Sequence, residues 1–281
     1  MTRAIGILIT VVWLGCMVAL FQRDIVPYWR AQDPPSQQIP DGAYQVAMTN
    51  GSGRRLGTTW ITTFHTGTNV NVHSLTQLDL GAISAVLPVA GPLFVESDLS
   101  YDHSQHLEEF LFRLETALVT ARVRGVRFGQ QFACEARIGT VKQSMAIDAD
   151  LSKYLGDSLR PFTHLQGLRI GQTWRLRLLD PIALLSRSSV EFTTRLVRVT
   201  ARESIDHGGM AVECFRIETD GTVAWATDSG RVILQEVQVP LLGKWMLADE
   251  PYSDRARLEA KREVRQLRDS RNFGSSQTEK E

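Results

Sequence analysis

From Tyr44 onward, apolar and polar residues alternate in short runs punctuated by glycine-rich turns, a period-two pattern that predicts antiparallel strands with one dry and one wet face. The first block of runs is Thr58 to Phe64, Asn69 to Leu80, Phe94 to Tyr101, Glu109 to Leu118, 119–125, Phe132 to Ile138 and Val141 to Ile147. In the sixth run Phe132, Cys134, Ala136 and Ile138 share one face, and Gln131, Glu135 and Arg137 the other. Leu107, Phe110, Leu111, Leu114 and Leu118 also recur at helical spacing, but the β reading is preferred there. A second block comprises Trp174 to Leu178, Val190 to Arg202, Met210 to Thr219, Thr222 to Ala226, Arg231 to Val239 and Lys244 to Ala248. Asp180-Pro181, Gly208-Gly209, Asp220-Gly221 and Ser229-Gly230 supply its turns.

Three regions break this texture: the middle, the C-terminal end and the start of the chain. Asp150 to Leu159 places Leu151, Tyr154, Leu155 and Leu159 on one stripe before Pro161, which predicts a helix covering the sheet. Ser253 is positioned to cap a charged helix over Asp254 to Ser270, whose large apolar residues are Leu258, Val264 and Leu267. Asn272 to Glu281 lacks apolar material for a core and is expected to be disordered. The third break is the start of the chain, where Ala4 to Phe21 carries no charge and no proline. At about 1.5 Å per helical residue such a run nearly crosses a hydrocarbon layer about 30 Å thick.

A cleaved signal peptide, a lipoprotein signal and an uncleaved anchor compete for this leader. The apolar run continues past Cys16 to Phe21 and ends in Gln22-Arg23-Asp24, without the small-residue cleavage site a removed signal needs. Cys16 follows Gly15, as in lipoproteins, but Trp13 stands where they carry Leu. The anchor is the preferred reading. Arg3 before the span and Arg23 and Arg30 after it leave orientation undecided by charge; a head of residues 1–3 and a long C-terminal domain favour N-in, with the domain outside the cytoplasm, as in a bacterial periplasm. The expected organisation is a head at 1–3, a transmembrane anchor at 4–21, a proline-rich stalk at 22–42, an antiparallel β domain at 43–250, a charged helix at 251–271 and a disordered tail at 272–281.

Charge removes some partners. With 31 basic and 31 acidic residues the chain has no net field to draw nucleic acid or anionic lipid, and neither is assigned on that ground. Three cysteines are too few for a disulfide framework, and Cys134 and Cys214, each in an apolar strand pattern, read as buried free thiols.

The candidate chemistry is thin. Gly156-Asp157-Ser158-Leu159 spells the GDSL esterase signature, which would make Ser158 a nucleophile, but it sits in the amphipathic run and no Asp-x-x-His follows to activate it. His103 and His106, with Asp102, Glu108 and Glu109, form a metal-like cluster that a strand or turn would not hold on one face. His65 and His73 flank a turn and could meet across a hairpin, though a surface pair is the plainer outcome. Glu108-Glu109 and Asp98 with Asp102 read as solvated edges rather than paired acid and base. Asn50-Gly-Ser52 is a formal glycosylation acceptor. Trp13 belongs to the anchor and Trp29 to its outer interface, while Trp60, Trp174, Trp225 and Trp245 mark the inner face of the sheet. No catalytic, metal or cofactor-binding residue is assigned, and no cofactor is expected.

Gly171-x-x-Trp174 through Asp180-Pro181, and Trp225 through Asp228, Gly230, Val232 and Glu236, resemble a strand and a hairpin of uncharacterised bacterial envelope domains. Those domains are similar to the unclosed half-barrel of LolA-type lipoprotein and lipid carriers, wrapped around a helix. The resemblance covers about residues 90–240 and carries no catalytic residues. It departs at Ala226-Thr227, where a shorter Trp-to-Asp spacing is usual, and in the membrane span, which a soluble carrier lacks.

The expectation is therefore a mainly β, non-catalytic, membrane-anchored envelope protein. Its curved, unclosed antiparallel sheet, with a covering helix and a charged C-terminal helix, would bind a lipid, lipoprotein or protein partner. A structural or assembly subunit of a membrane complex, docking through the C-terminal helix, is the alternative, and an esterase using Ser158 the remote one.

Overall fold

The structure is a computed structural model and describes residues 13, 16–20, 26, 31, 35, 39, 41–79, 81, 91–104, 106–148, 162, 164–179, 192–239 and 242–278. The strands are β1 (Gly42–Asn50), β2 (Arg55–Thr66), β3 (Asn69–Asp79), β4 (Pro92–Tyr101), β5 (Leu107–Glu115), β6 (Thr120–Phe128), β7 (Gln131–Ile138) and β8 (Val141–Asp148). A second run gives β9 (Thr173–Leu179), β10 (Phe192–His207), β11 (Met210–Thr219), β12 (Thr222–Thr227), β13 (Val232–Val239) and β14 (Gly243–Glu250). A helix, α1, spans Asp254–Thr278.

All fourteen strands form one antiparallel sheet in the order β8-β7-β6-β5-β4-β3-β2-β1-β14-β13-β12-β11-β10-β9. Each strand pairs with its neighbours in the chain except β8 with β9, and β1 pairs with β14, from Gln45↔Glu250 to Asn50↔Trp245. This is the connectivity of an up-and-down ring cut open between β8 and β9. Because adjacent strands rotate by roughly 20–25° each, a sheet this wide cannot stay flat, and it forms a half-barrel-like unclosed wall.

The alternation separates two faces. Val46, Met48, Leu247 and Trp245 stand together on one, while their neighbours Gln45 and Glu250 meet on the other through an amide-to-carboxylate hydrogen bond of 3.1 Å. Register carries the apolar face in both directions, to Phe110, Phe132 and Cys134 on β5 and β7 and to Ile217, Val199 and Trp174 on β11, β10 and β9. The connectivity also fixes two ends. The turns 51–54, 116–119, 139–140 and 220–221 lie at one end; the turns 67–68, 102–106, 129–130 and 208–209, and the starts of β1 and α1, lie at the other.

Several sequence boundaries shift. β5 stops at Glu115 rather than Leu118, because Thr116 Oγ1 accepts from the backbone N–H groups of Leu118 and Val119 and turns the chain. β10 runs from Phe192 to His207, past the expected end at Arg202, with a bulge between Val199 and Ala201. The segment Asp150 to Leu159, expected to be the covering helix, lies outside the described residues. Most of the leader lies outside them too; residues 16–20 are helical and exposed, and among the described residues no helix is long and apolar enough to cross a membrane.

α1 covers part of the charged face. Ser253 Oγ accepts from the Ala256 N–H at 3.3 Å, the expected cap. Of the large apolar residues Leu258, Val264 and Leu267, the last two pack and Leu258 does not. Ala260 and Val264 are buried against Trp60, Leu75 and Phe94, flanked by Ala256, Leu267 and Tyr252, whereas Leu258 is 54% exposed. Alanines let the helix approach closely, and counting only large residues missed them. α1 also continues to Thr278, beyond the expected end near 271, since extending a nucleated helix adds one backbone bond per residue fixed.

Candidate functional site

The apolar face differs between its two wings. Over β9 to β13 the chain itself fills it: Phe162 and Leu165, fully buried, lie on Trp174, Val197, Ile217 and Val232. Gln235 Nε2 donates to the Phe162 carbonyl at 2.8 Å, and the Leu165 N–H donates to the Gly230 carbonyl at 2.8 Å. A Cβ at Gly230 would stand 2.2 Å from the Leu165 oxygen, and its φ of +89° favours glycine as well. The glycine and tryptophans of the envelope-like motifs therefore have packing roles. Trp174 is fully buried against Phe162, and Trp225 donates to Glu203 Oε1 at 2.5 Å beneath the Arg216 guanidinium.

Over β4 to β8 the same face is built from aromatics. Phe110 packs against Phe112 and Phe132 with centroids 5.5 Å apart in both pairs. The Phe110 ring lies directly on Gly125 of β6. Around this nucleus Leu99, Tyr101, Phe112, Val123, Met145 and Ile147 are only partly buried. The environment is dry enough to act on titratable groups. Burial pushes the Cys134 thiol up to about 11 and, with a contribution from Tyr44, the Tyr101 phenol up to about 12. Met145 and Ile147 carry the apolar face onto β8, whose outer edge is unpaired among the described residues. This wing is the candidate site: a partly buried apolar surface that reaches the last strand of the sheet.

The sequence-flagged polar residues gather elsewhere. Asp102, His106, Glu108 and Glu109 line an open cleft of about 730 Å³ with Asn69, Ser100 and Arg127 at the β4–β5 turn. Each carboxylate is engaged. Asp102 accepts from the Ser104 and His106 N–H groups at 2.8 Å, which holds its carboxyl below the usual range. Glu108 accepts from Asn69 Nδ2 at 3.0 Å, and Glu109 from Arg124 Nε at 2.8 Å. Among the described residues no group of three His, Cys, Asp or Glu side chains is placed to hold a metal ion.

His65 and His73 do not meet across their hairpin. His65 pairs with Asp41 at 2.8 Å and His73 Nδ1 with Asp98 at 2.6 Å, because register sets His73 opposite Thr62 and Asp98. The His73 hydrogen bond, against the opposing effect of burial and aided by the charges of His73, Arg113 and Lys261, lowers the Asp98 pKa from 3.8. A depressed carboxylate pKa contributes stability above the unfolded value, and that contribution is lost as pH falls through the folded one. Asp98 is 44% exposed, which limits the contribution to under about 1 kcal/mol. Asp98→Asn is expected to flatten the acid limb of urea-melt stability by that amount below pH 4.

Cys134 and Cys214 are free and buried, on β7 and β11 and on opposite faces. Asn50 Oδ1 accepts from Ser52 N–H, Ser52 Oγ and Arg54 N–H, so the glycosylation-like tripeptide forms a tight turn. Ser158 lies outside the described residues. Sequence reasoning missed the Phe110–Gly125 contact and the joint capture of Glu96 and Glu115 by Arg268, at 2.6 and 3.0 Å, since both need the register before they exist.

No protein-family model matches this chain, and no curated protein matches it. Among solved structures, a DUF1089 family protein from Pseudomonas aeruginosa is similar over 73% of this chain and 93% of that chain, at 12% identity and a TM-score of 0.31, too low a score to support an argument from it.

Proposed function

We propose that this is a membrane-tethered, non-catalytic binding protein whose unclosed sheet takes an elongated apolar ligand, the acyl chain of a lipid or lipidated polypeptide, along the β4–β8 wing. The observation that carries the reading is the apolar face running onto β8, the last strand of the sheet among the described residues, with Leu99, Phe112, Val123, Met145 and Ile147 left partly buried. Hydrocarbon laid there would remove the remaining apolar area at roughly 25 cal/mol per Å². The leader, read as an anchor, and the proline-rich stalk after it would keep the wing near the membrane, on the side facing away from the cytoplasm. The resemblance of residues 90–240 to lipid and lipoprotein carriers supports the same reading.

The competing reading, an assembly subunit that docks through its C-terminal helix, has less support. The stripe it would offer is occupied by its own sheet through Ala260 and Val264. The test is a photoactivatable fatty acid offered to the full chain in detergent. Crosslinks should map to β4–β8, and Val123→Glu with Met145→Glu should cut their yield by about tenfold while circular dichroism stays unchanged. Labelling no greater than that of an unrelated β protein would remove the proposal.

A further inference from the structure

The turn end of the same wing is shaped for a second task. At that end Leu118, Val119, Ile138 and Val141 are 74%, 44%, 51% and 68% exposed. They are contiguous: Ile138 pairs with Ala121 on one side and Val141 on the other, and the Gly139 N–H donates to the Thr120 carbonyl just beyond Val119. Exposed apolar residues scattered singly need no explanation, but a cluster on neighbouring hairpin tips does. The sequence that leaves this end after Asp79 and returns at Pro92 is also uncharged, from Leu80 to Gly91.

Behind these tips, on the opposite face, register aligns a row of cations. Arg113 stands opposite Arg122, Arg122 opposite Arg137, and Arg137 opposite Lys142. Like charges directly opposed across strands destabilise a sheet. The row is partly neutralised from within: Arg113 reaches Glu96 at 3.3 Å and Asp98 at 3.5 Å, and Lys142 reaches Glu135 at 3.0 Å, while Arg122 and Arg137 feel the Glu135 charge but, among the described residues, form no ion pair within 4 Å. Net charge over the whole chain hides this arrangement, which exists only through strand register.

The spacing decides what the two features fit. Arg137 and Lys142 are one residue behind Ile138 and Val141, and Arg122 is two behind Thr120; at about 3.3 Å per strand residue the cations lie roughly 3–7 Å behind the tips. Interfacial protein segments bury their apolar side about 5–10 Å into the headgroup boundary, and each basic residue there adds about 1 kcal/mol on an anionic leaflet. We infer that the 116–119 and 139–140 hairpin tips insert into an anionic lipid surface, with Arg122, Arg137 and Lys142 on the phosphate layer. This places the open wing against the bilayer with the start of β1, where the stalk arrives, at the far end of the sheet. The stalk residues 22–41, at about 3.1 Å each if extended, can span the roughly 30 Å height of a ten-residue strand. The inference takes from the proposed function only that the chain works at a membrane.

The test uses the full chain in a Cys16→Ser background, in which the two remaining thiols are buried. An environment-sensitive fluorophore is attached in turn to cysteines replacing Val119, Ile138 and Phe128, the last 85% exposed at the opposite end. In vesicles of phosphatidylcholine with 30% phosphatidylserine, the 119 and 138 labels should shift to the blue and be quenched by lipid-borne spin labels at least fivefold more than the 128 label. Arg122→Gln, Arg137→Gln and Lys142→Gln together, or pure phosphatidylcholine, should bring that ratio close to one. Equal quenching at all three positions with phosphatidylserine present overturns the inference, as does rim quenching that ignores lipid charge. Flotation of the chain on neutral vesicles reports the leader alone, and acyl crosslinking reports the ligand reading, so each can fail separately.

Discussion

Gly125→Val is expected to destabilise the domain by about 3 kcal/mol, the upper part of the range for overpacking, although valine favours strands and glycine does not. A Cβ at this position would stand 2.2 and 2.3 Å from two Phe110 ring carbons. The ring cannot swing aside, since Phe110 is 2% exposed and wedged against Phe112 and Phe132. Phe110→Ala alone should cost about 3–5 kcal/mol through its cavity. The decisive comparison is the pair: with the ring gone the valine has room, and Gly125→Val in the Phe110→Ala background should cost less than about 1 kcal/mol, a coupling of about 2 kcal/mol. Urea melts of the four proteins measure it. Additive losses would mean that the ring does not rest on β6 and that the wing has another packing.

Local chemistry made much of this fold readable. Gly208-Gly209 and Asp220-Gly221 bracket β11, whose ends fall where the sequence placed them, because two flanking tight turns leave a strand no freedom of length. The choice of strand over helix for Glu109 to Leu118 matches the structure in kind, though the strand runs from Leu107 to Glu115; here Leu111 and Leu114 stand on opposite faces, so the helical coincidence carries no packing. Ser253 caps α1 as its side chain allows. Pairings with no local cause were out of reach. Nothing in Gln45 announces Glu250 as its neighbour, and the joining of the two strand blocks through β1 and β14 depends on that distant match. The cation row is a case of the same kind: Arg113, Arg122, Arg137 and Lys142 are unremarkable in sequence and become a surface only through three registers in succession.

Arg268→Met is expected to loosen α1 from the sheet and to cost about 3 kcal/mol, the low end of the range for removing one partner of a buried ion pair. Methionine keeps the packing of the stem and removes the charge. The carboxylates left behind are the source of the cost: the side chains of Glu96 and Glu115 are 10% and 5% exposed, and Arg268 reaches them at 2.6 and 3.0 Å. Neither is abandoned wholly, because Arg113 still reaches Glu96 at 3.3 Å and Thr120 Oγ1 still donates to Glu115 at 3.0 Å, which is why the upper end of the range is not expected. Adding Glu96→Gln and Glu115→Gln to Arg268→Met should recover more than half of the loss, since neutral amides tolerate burial that lone charges do not. Amide exchange locates the effect. Protection should fall first in the third of α1 around Val264 and in β4, while the aromatic wing around Phe132 keeps its own. A loss below about 0.5 kcal/mol, typical of a surface ion pair, would show that α1 is held by Ala260 and Val264 alone and that its basic residues only rest on the charged face.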